Sequence, residues 1–97
     1  MIETACEALR KGRLLEIRYD GVSCHVEAHA VGYTKTGHPV LRAWQVQGGT
    51  TSGERPGWKL MRLDEAAGAA VLDEPSQAPR RGYKRGDPAI ERIVYEL

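Results

Sequence analysis

The chain has 97 residues, 41% of them hydrophobic and 28% charged, with a formal net charge of +1. That length makes one domain with a compact core, because a chain of this size buries only roughly 60–65% of the surface it exposes when unfolded. The composition is too apolar for disorder, and the near-zero net charge excludes a global drive toward nucleic acid or membrane, so any electrostatic footprint is local.

The first residues carry a helical period. Ile2, Ala5, Cys6 and Leu9 recur on one face and Glu3, Glu7, Arg10 and Lys11 on the other. Acids lead and bases trail, which suits the helix dipole, and Gly12 supplies a stop. The pattern predicts a short amphipathic helix over 2–11. The same stretch, MIETACEALRKG, has no continuous apolar core and does not read as a signal peptide. No run approaches the ~18 apolar residues of a membrane span. Cys6 and Cys24 stand in unrelated contexts, outside any C-x-x-C pair, and read as small buried hydrophobes of a reducing compartment. The expectation is a cytoplasmic protein with no membrane contact.

The period then changes to two. Leu15, Ile17 and Tyr19 alternate with Glu16, Arg18 and Asp20, and Asp20-Gly21 signals a tight hairpin. In VSCHVEAHAVGY, Val22, Cys24, Val26, Ala28 and Ala30 face one way, while Ser23, His25, Glu27 and His29 form a polar outer face. After a turn over 32–37 comes HPVLRAWQV, with apolar groups on both faces: Val40, Trp44 and Val46 against Leu41 and Ala43. Such a strand is covered on both sides. A long connection over 47–57 leads to two further strand-like runs, WKLMRLDE and AAVLDE. Five short antiparallel strands at this spacing predict a small barrel.

The segment EPSQAPRRGYKRGDP breaks the pattern with Pro75, Pro79 and Pro88 and clustered base, and reads as an extended arm over 77–87. Asp87-Pro88 resembles a helix start, and Ile90, Ile93, Val94 and Leu97 stand at i, i+3, i+4 and i+7, predicting a C-terminal helix over 88–97.

Several patterns invite a chemical reading. Gly48 and Gly53 have the spacing of a phosphate-binding loop, but Glu54-Arg55 follows where that motif needs lysine and a hydroxyl, so the segment reads as an inter-strand connection. His25 and His29 lie about 13 Å apart along a strand, too far to share one ion, and no metal site or cofactor is expected. Ser23, Ser52 and Ser76 lack a nucleophile context, and alternation sends Cys24 and His25 to opposite faces, so no catalytic residues are assigned. Two groups of cations remain. Arg80, Arg81, Lys84 and Arg85 flank Tyr83 in the arm, while Arg42, Lys59 and Arg62 lie amid apolar strand residues near Trp44 and Trp58. Guanidinium forks bind phosphate, and aromatic rings stack on bases. The alternative for the strand cations is salt bridging to Glu16, Glu27 or Asp64.

The stretches LEIRYDG, VEAHAVG, PVLRAWQV and KLMRLDEAAGAAVLDE together resemble the WYL domain, a Sm-like small β-barrel of bacterial regulators. The resemblance covers roughly residues 13–76, and LRAWQVQGG, SGERPGWKL and PRRGYKRGD resemble a compact standalone bacterial variant. Pro39-Val40-Leu41 occupies the position of the name-giving Trp-Tyr-Leu, and Cys24 and Glu65 stand where the family carries arginine. The resemblance implies a five-stranded Sm-like (Src-homology-3-type) barrel and a non-catalytic, regulatory module. It also implies an anionic ligand such as a nucleotide or single-stranded nucleic acid. Arg42, Trp44, Trp58, Lys59, Arg62, Arg80, Arg81, Tyr83, Lys84 and Arg85 are the candidate ligand-binding residues. The competing expectation is a homo-oligomerisation or protein-interaction module without a small ligand.

Overall fold

The computed structural model describes residues 1–19, 21–48 and 57–97. Helix α1 (Ile2–Lys11) ends at Gly12, whose left-handed conformation (φ 67°) turns the chain and lets its amide close onto the carbonyls of Ala8 and Leu9. Only glycine adopts that conformation without strain. Strands β1 (Arg13–Tyr19), β2 (Val22–Tyr33), β3 (Pro39–Gly48) and β4 (Gly57–Arg62) follow as an antiparallel meander. A 3-10 turn at Leu63–Glu65 then reverses the chain, and β5 (Gly68–Pro75) returns beside β1. The sheet order is β4-β3-β2-β1-β5. β1 and β2 pair up to Tyr19 opposite Val22, and Gly21 takes a left-handed conformation (φ 82°); Asp20, the other half of the expected Asp20-Gly21 turn, lies outside the described residues.

The predicted C-terminal helix is absent. Residues 88–89 form a turn, and Arg92–Glu96 is a strand, β6, antiparallel to Ala30–Tyr33 of β2. The physical reason lies in β2, which has 12 residues. One of its edges pairs with β3 for nearly its whole length, but β1 covers only Val22–Val26 of the other. The remaining edge presents unpaired backbone groups that need partners. Ile93, Val94 and Tyr95 are β-branched or aromatic and supply that partner strand. The spacing that read as a helical stripe is also compatible with a strand followed by one docked end.

The main core lies between α1 and one face of the sheet. Ala5, Ala8 and Leu9 of the helix pack on Leu15, Ile17, Val26, Ala28, Val31, Leu41 and Leu63. A smaller cluster on the opposite face joins Ala30 and Val40 to Ile90, with Ile93 against it. So β3 is covered on both faces, as its apolar pattern predicts. The alternation expected along β2 fails at one point. His29 is an extra residue between the pairs Ala28↔Ala43 and Ala30↔Arg42. This bulge moves Ala30 to the second cluster and lets Val31 take its place in the main core. The second half of the polar face expected of β2 is also buried, with Glu27 1% exposed and His29 not at all, while Ser23 and His25 are part-exposed. The arm lies over Glu27 and His29.

Candidate anion-binding groove

The arm is held to β2 through specific atoms. Glu27 takes hydrogen bonds from the Arg80 guanidinium at both carboxylate oxygens (2.6 and 3.2 Å) and from the Gln77 amide at Oε2 (2.7 Å). A buried carboxylate needs such partners, because an unpaired charge out of water is strongly unfavourable. His29 takes the Arg80 amide at Nε2 (2.9 Å) and lies with Nδ1 2.9 Å from the Glu27 carbonyl. A carbonyl only accepts and an amide only donates, so the imidazole is neutral with its proton on Nδ1. Burial, the leading cause, pushes its pKa below the ordinary value.

Aromatic rings gather on the same face. Glu27, Trp44 and Trp58 form one cross-strand row over β2, β3 and β4. The two tryptophan rings meet edge to face, 5.4 Å apart, and Trp58 meets His29 the same way at 4.7 Å. Tyr83 of the arm closes over them, 5.0 Å from His29 and 6.3 Å from Trp58. The Arg80 guanidinium sits 5.5 Å from the Trp44 ring centre, a cation–π contact.

Beside this stack opens a cavity of about 300 Å³, lined by Arg42, Trp58, Tyr83, Lys84, Arg85 and Asp87 among others. Gly82 also borders it. Its left-handed backbone (φ 94°) disfavours a side chain, and Trp58 Nε1 would lie at ordinary contact distance from one. Arg42 forks onto Asp87, which also caps the Ala89 amide, and the Arg42 fork, first among the causes, holds the Asp87 carboxyl below its usual range. Arg85 pairs with Glu96 at 3.3 Å, and the Gly86 amide donates to the same carboxylate. Lys84 and Arg81 make no ion pair among the described residues, and both are exposed.

Seven candidates thus meet at or beside one groove: Arg42, Trp44, Trp58, Arg80, Tyr83, Lys84 and Arg85. Arg81 lies on the arm but is not among the cavity's lining residues. Lys59 and Arg62 belong to another place. Successive residues of a strand face opposite ways, so Lys59 cannot share the groove with Trp58. Both line a separate hollow of about 370 Å³ with Tyr19, Cys24, Gln45 and Met61. Arg62 there is bound to both oxygens of Asp64 (2.9 and 2.7 Å) and donates to His38 Nδ1. The Asp64 carboxyl is held down to about 2 by those bonds. Arg62 therefore fulfils the salt-bridge alternative through Asp64, whereas Arg42 finds Asp87 instead. The 47–57 connection, with Gly53, Glu54 and Arg55, lies largely outside the described residues.

Asp87 and His29 are not expected in this role, and Glu27, expected as a salt-bridge partner of the strand cations Arg42, Lys59 and Arg62, pairs with Arg80 of the arm. Asp87 read as a helix cap, and the acid and histidine of β2 read as an outer face. The signal available for Asp87 was its place directly after Arg85-Gly86, at the end of a basic arm that must fold back on cationic strands. No three His, Cys, Asp or Glu side chains among the described residues cluster as a metal set. No protein-family model, curated protein or solved structure matches this chain.

Proposed function

We propose that the chain is a non-catalytic, regulatory module of WYL-like type that binds a nucleotide or a short single-stranded nucleic acid in the groove. One observation carries the reading. Strands β3 and β4 and the arm bring Arg42, Trp58, Tyr83, Lys84 and Arg85 around a single cavity. A volume of about 300 Å³ stands at the lower end of ligand sites, room for one nucleotide rather than a duplex. The rings offer a surface for a base, and the exposed Lys84 and Arg85 offer charge for a phosphate. The strand order, with an N-terminal helix, a four-strand meander, a 3-10 turn and β5 returning to β1, supports the Sm-like barrel as the scaffold.

Fluorescence anisotropy with a labelled oligonucleotide and with a labelled mononucleotide tests this. Binding is expected to weaken with salt, with a slope near −0.7 per phosphate contacted. The double variant Lys84→Ala/Arg85→Ala should lose roughly tenfold in affinity and flatten that slope by about one to two contacts. Salt-insensitive or absent binding at low ionic strength would refute the reading.

A second reading is favoured by Leu60, Val94 and Tyr95, which are 42%, 51% and 40% exposed on strands β4 and β6. Open strands bearing apolar side chains suit pairing between copies of the chain. A salt-insensitive dimer in sedimentation, without oligonucleotide binding, selects this reading over the first.

A further inference from the structure

His29 is a titratable group with no exposure, and ligand binding as proposed makes no use of its chemistry. Its two nitrogens are both committed, Nδ1–H to the Glu27 carbonyl and Nε2 to the Arg80 amide, each at 2.9 Å. A second proton has nowhere to go. At Nε2 it would set two N–H donors against each other across that distance, and one of them must move. The group that can move is the arm, since His29 is fixed in a strand with β3 on one side and the Leu97 amide on its carbonyl.

Among the described residues, these groups face the imidazole. From β2 comes Glu27, whose carboxylate is already shared between Arg80 and Gln77. From the arm come Arg80, whose charge opposes a second cation, and Tyr83, which does not ionise in the acid range. From β4 comes Trp58, with Trp44 of β3 behind it. Beyond Tyr83 lie Arg85, Asp87 and Glu96. Tyr83 is at once the neighbour of His29 and a wall of the cavity.

We propose that His29 is a proton-operated latch. Proton uptake at Nε2 breaks the Arg80 amide contact, loosens the 77–87 arm from Trp58, and opens the groove on mild acidification. The step is a proton transfer from solvent to one nitrogen, with the loss of one hydrogen bond. Burial of the imidazole sets the transition below the ordinary histidine range. The effect on ligand rests on the groove being the anion site; the latch itself does not.

The test is a side-chain nitrogen NMR titration of the full chain from about pH 7.5 to about pH 5, covering the range of histidine switches. At the upper end His29 should show the Nδ1–H tautomer. On acidification it should protonate with a midpoint below about 6.5, in step with loss of hydrogen-exchange protection at the Arg80 and Gln77 amides and a change in tryptophan emission. Amides of the α1–β1 core should stay protected. His29→Gln, whose carbonyl oxygen can accept from Arg80 and does not titrate, should keep the arm docked throughout. Protonation of His29 with the Arg80 amide still protected overturns the latch. So does arm release only together with the core, or a His29 that stays neutral at the lower end. These outcomes are read on the unsubstituted chain, so they stand even where His29→Gln fails to fold. Labelled oligonucleotide is then titrated at both ends of the range. At least fivefold weaker binding at low pH is expected for the unsubstituted chain and none for His29→Gln. A working latch with no oligonucleotide binding at either pH refutes the reading of the groove and leaves the latch standing.

Discussion

Glu27 carries more than its place in the sequence suggests. Its carboxylate takes three hydrogen bonds from the arm while being 1% exposed, so it joins two segments some fifty residues apart. Replacing it with alanine removes all three bonds and leaves the Arg80 cation over Trp44 without its acid. Breaking such a pair costs about 3 kcal/mol at the lower end of the usual range, fitting here because Arg80 can regain some water. For a domain of this size that lowers Tm by roughly 12–24 °C. Asp73→Asn is the control. Asp73 pairs with Arg13 at 3.1 Å in full solvent exposure, and its loss should leave the thermal midpoint within error. Differential scanning fluorimetry on both variants reads the contrast. Equal shifts would mean that the arm is not held through Glu27.

At the level of elements, β6 is the part most at odds with local sequence signals and the part most open to a single test. Gly32 of β2 lies directly under it. A methyl group there would overlap the Arg92 carbonyl and the Ile90 side chain, both backbone-anchored neighbours with little freedom to yield. Gly32→Ala should therefore peel β6 from β2 and open the small cluster of Ala30, Val40 and Ile90, costing about 1–3 kcal/mol as overpacking does. Hydrogen exchange should quicken over Arg92–Glu96 and leave α1 and β1 protected. Unchanged protection there would place β6 elsewhere. The same strand shows why part of the fold was legible and part was not. Helix α1 and strands β1 to β5 announce themselves through period and turn chemistry, which are local. The fate of residues 88–97 depends on an edge of β2 left vacant by a short β1, a fact written some sixty residues away. The site follows the same division. Cations and rings of the groove stand out in the sequence, but placing Lys59 with Trp58 in one site overlooks the alternation that sends them to opposite faces. The burial of Glu27 and His29 is set by a bulge and by an arm that folds back over them, and neither leaves a local mark.

For the molecule as a whole, the ionisable groups fix the shape of its stability against pH. His29 is a base whose pKa is lowered in the fold by burial. Between the folded and the ordinary value, near 6.5, the unfolded chain binds a proton that the folded chain refuses, so stability falls as pH drops through that window. Asp87 acts lower. Its carboxyl is depressed first by the Arg42 hydrogen bond, so its contribution is present above the ordinary carboxylate value and fades as pH falls through the folded one. On the alkaline side Tyr19 is pushed up to about 12, chiefly by burial, and its hydroxyl donates to the Arg62 carbonyl at 2.8 Å. The unfolded chain releases that proton near 10, so stability falls as pH rises from about 10 toward 12. Tyr83, raised for the same leading reason, adds to this limb. The expected curve of Tm against pH is a plateau from neutrality to about 9, with separate acid and alkaline declines. His29→Gln should flatten the first part of the acid decline and leave the lower carboxylate step. Tyr19→Phe should lower the plateau slightly, through one lost hydrogen bond, while making the alkaline decline shallower. Thermal unfolding across the pH range with the three chains separates these terms. An acid limb of unchanged slope in His29→Gln would show that the imidazole is not held neutral by the fold.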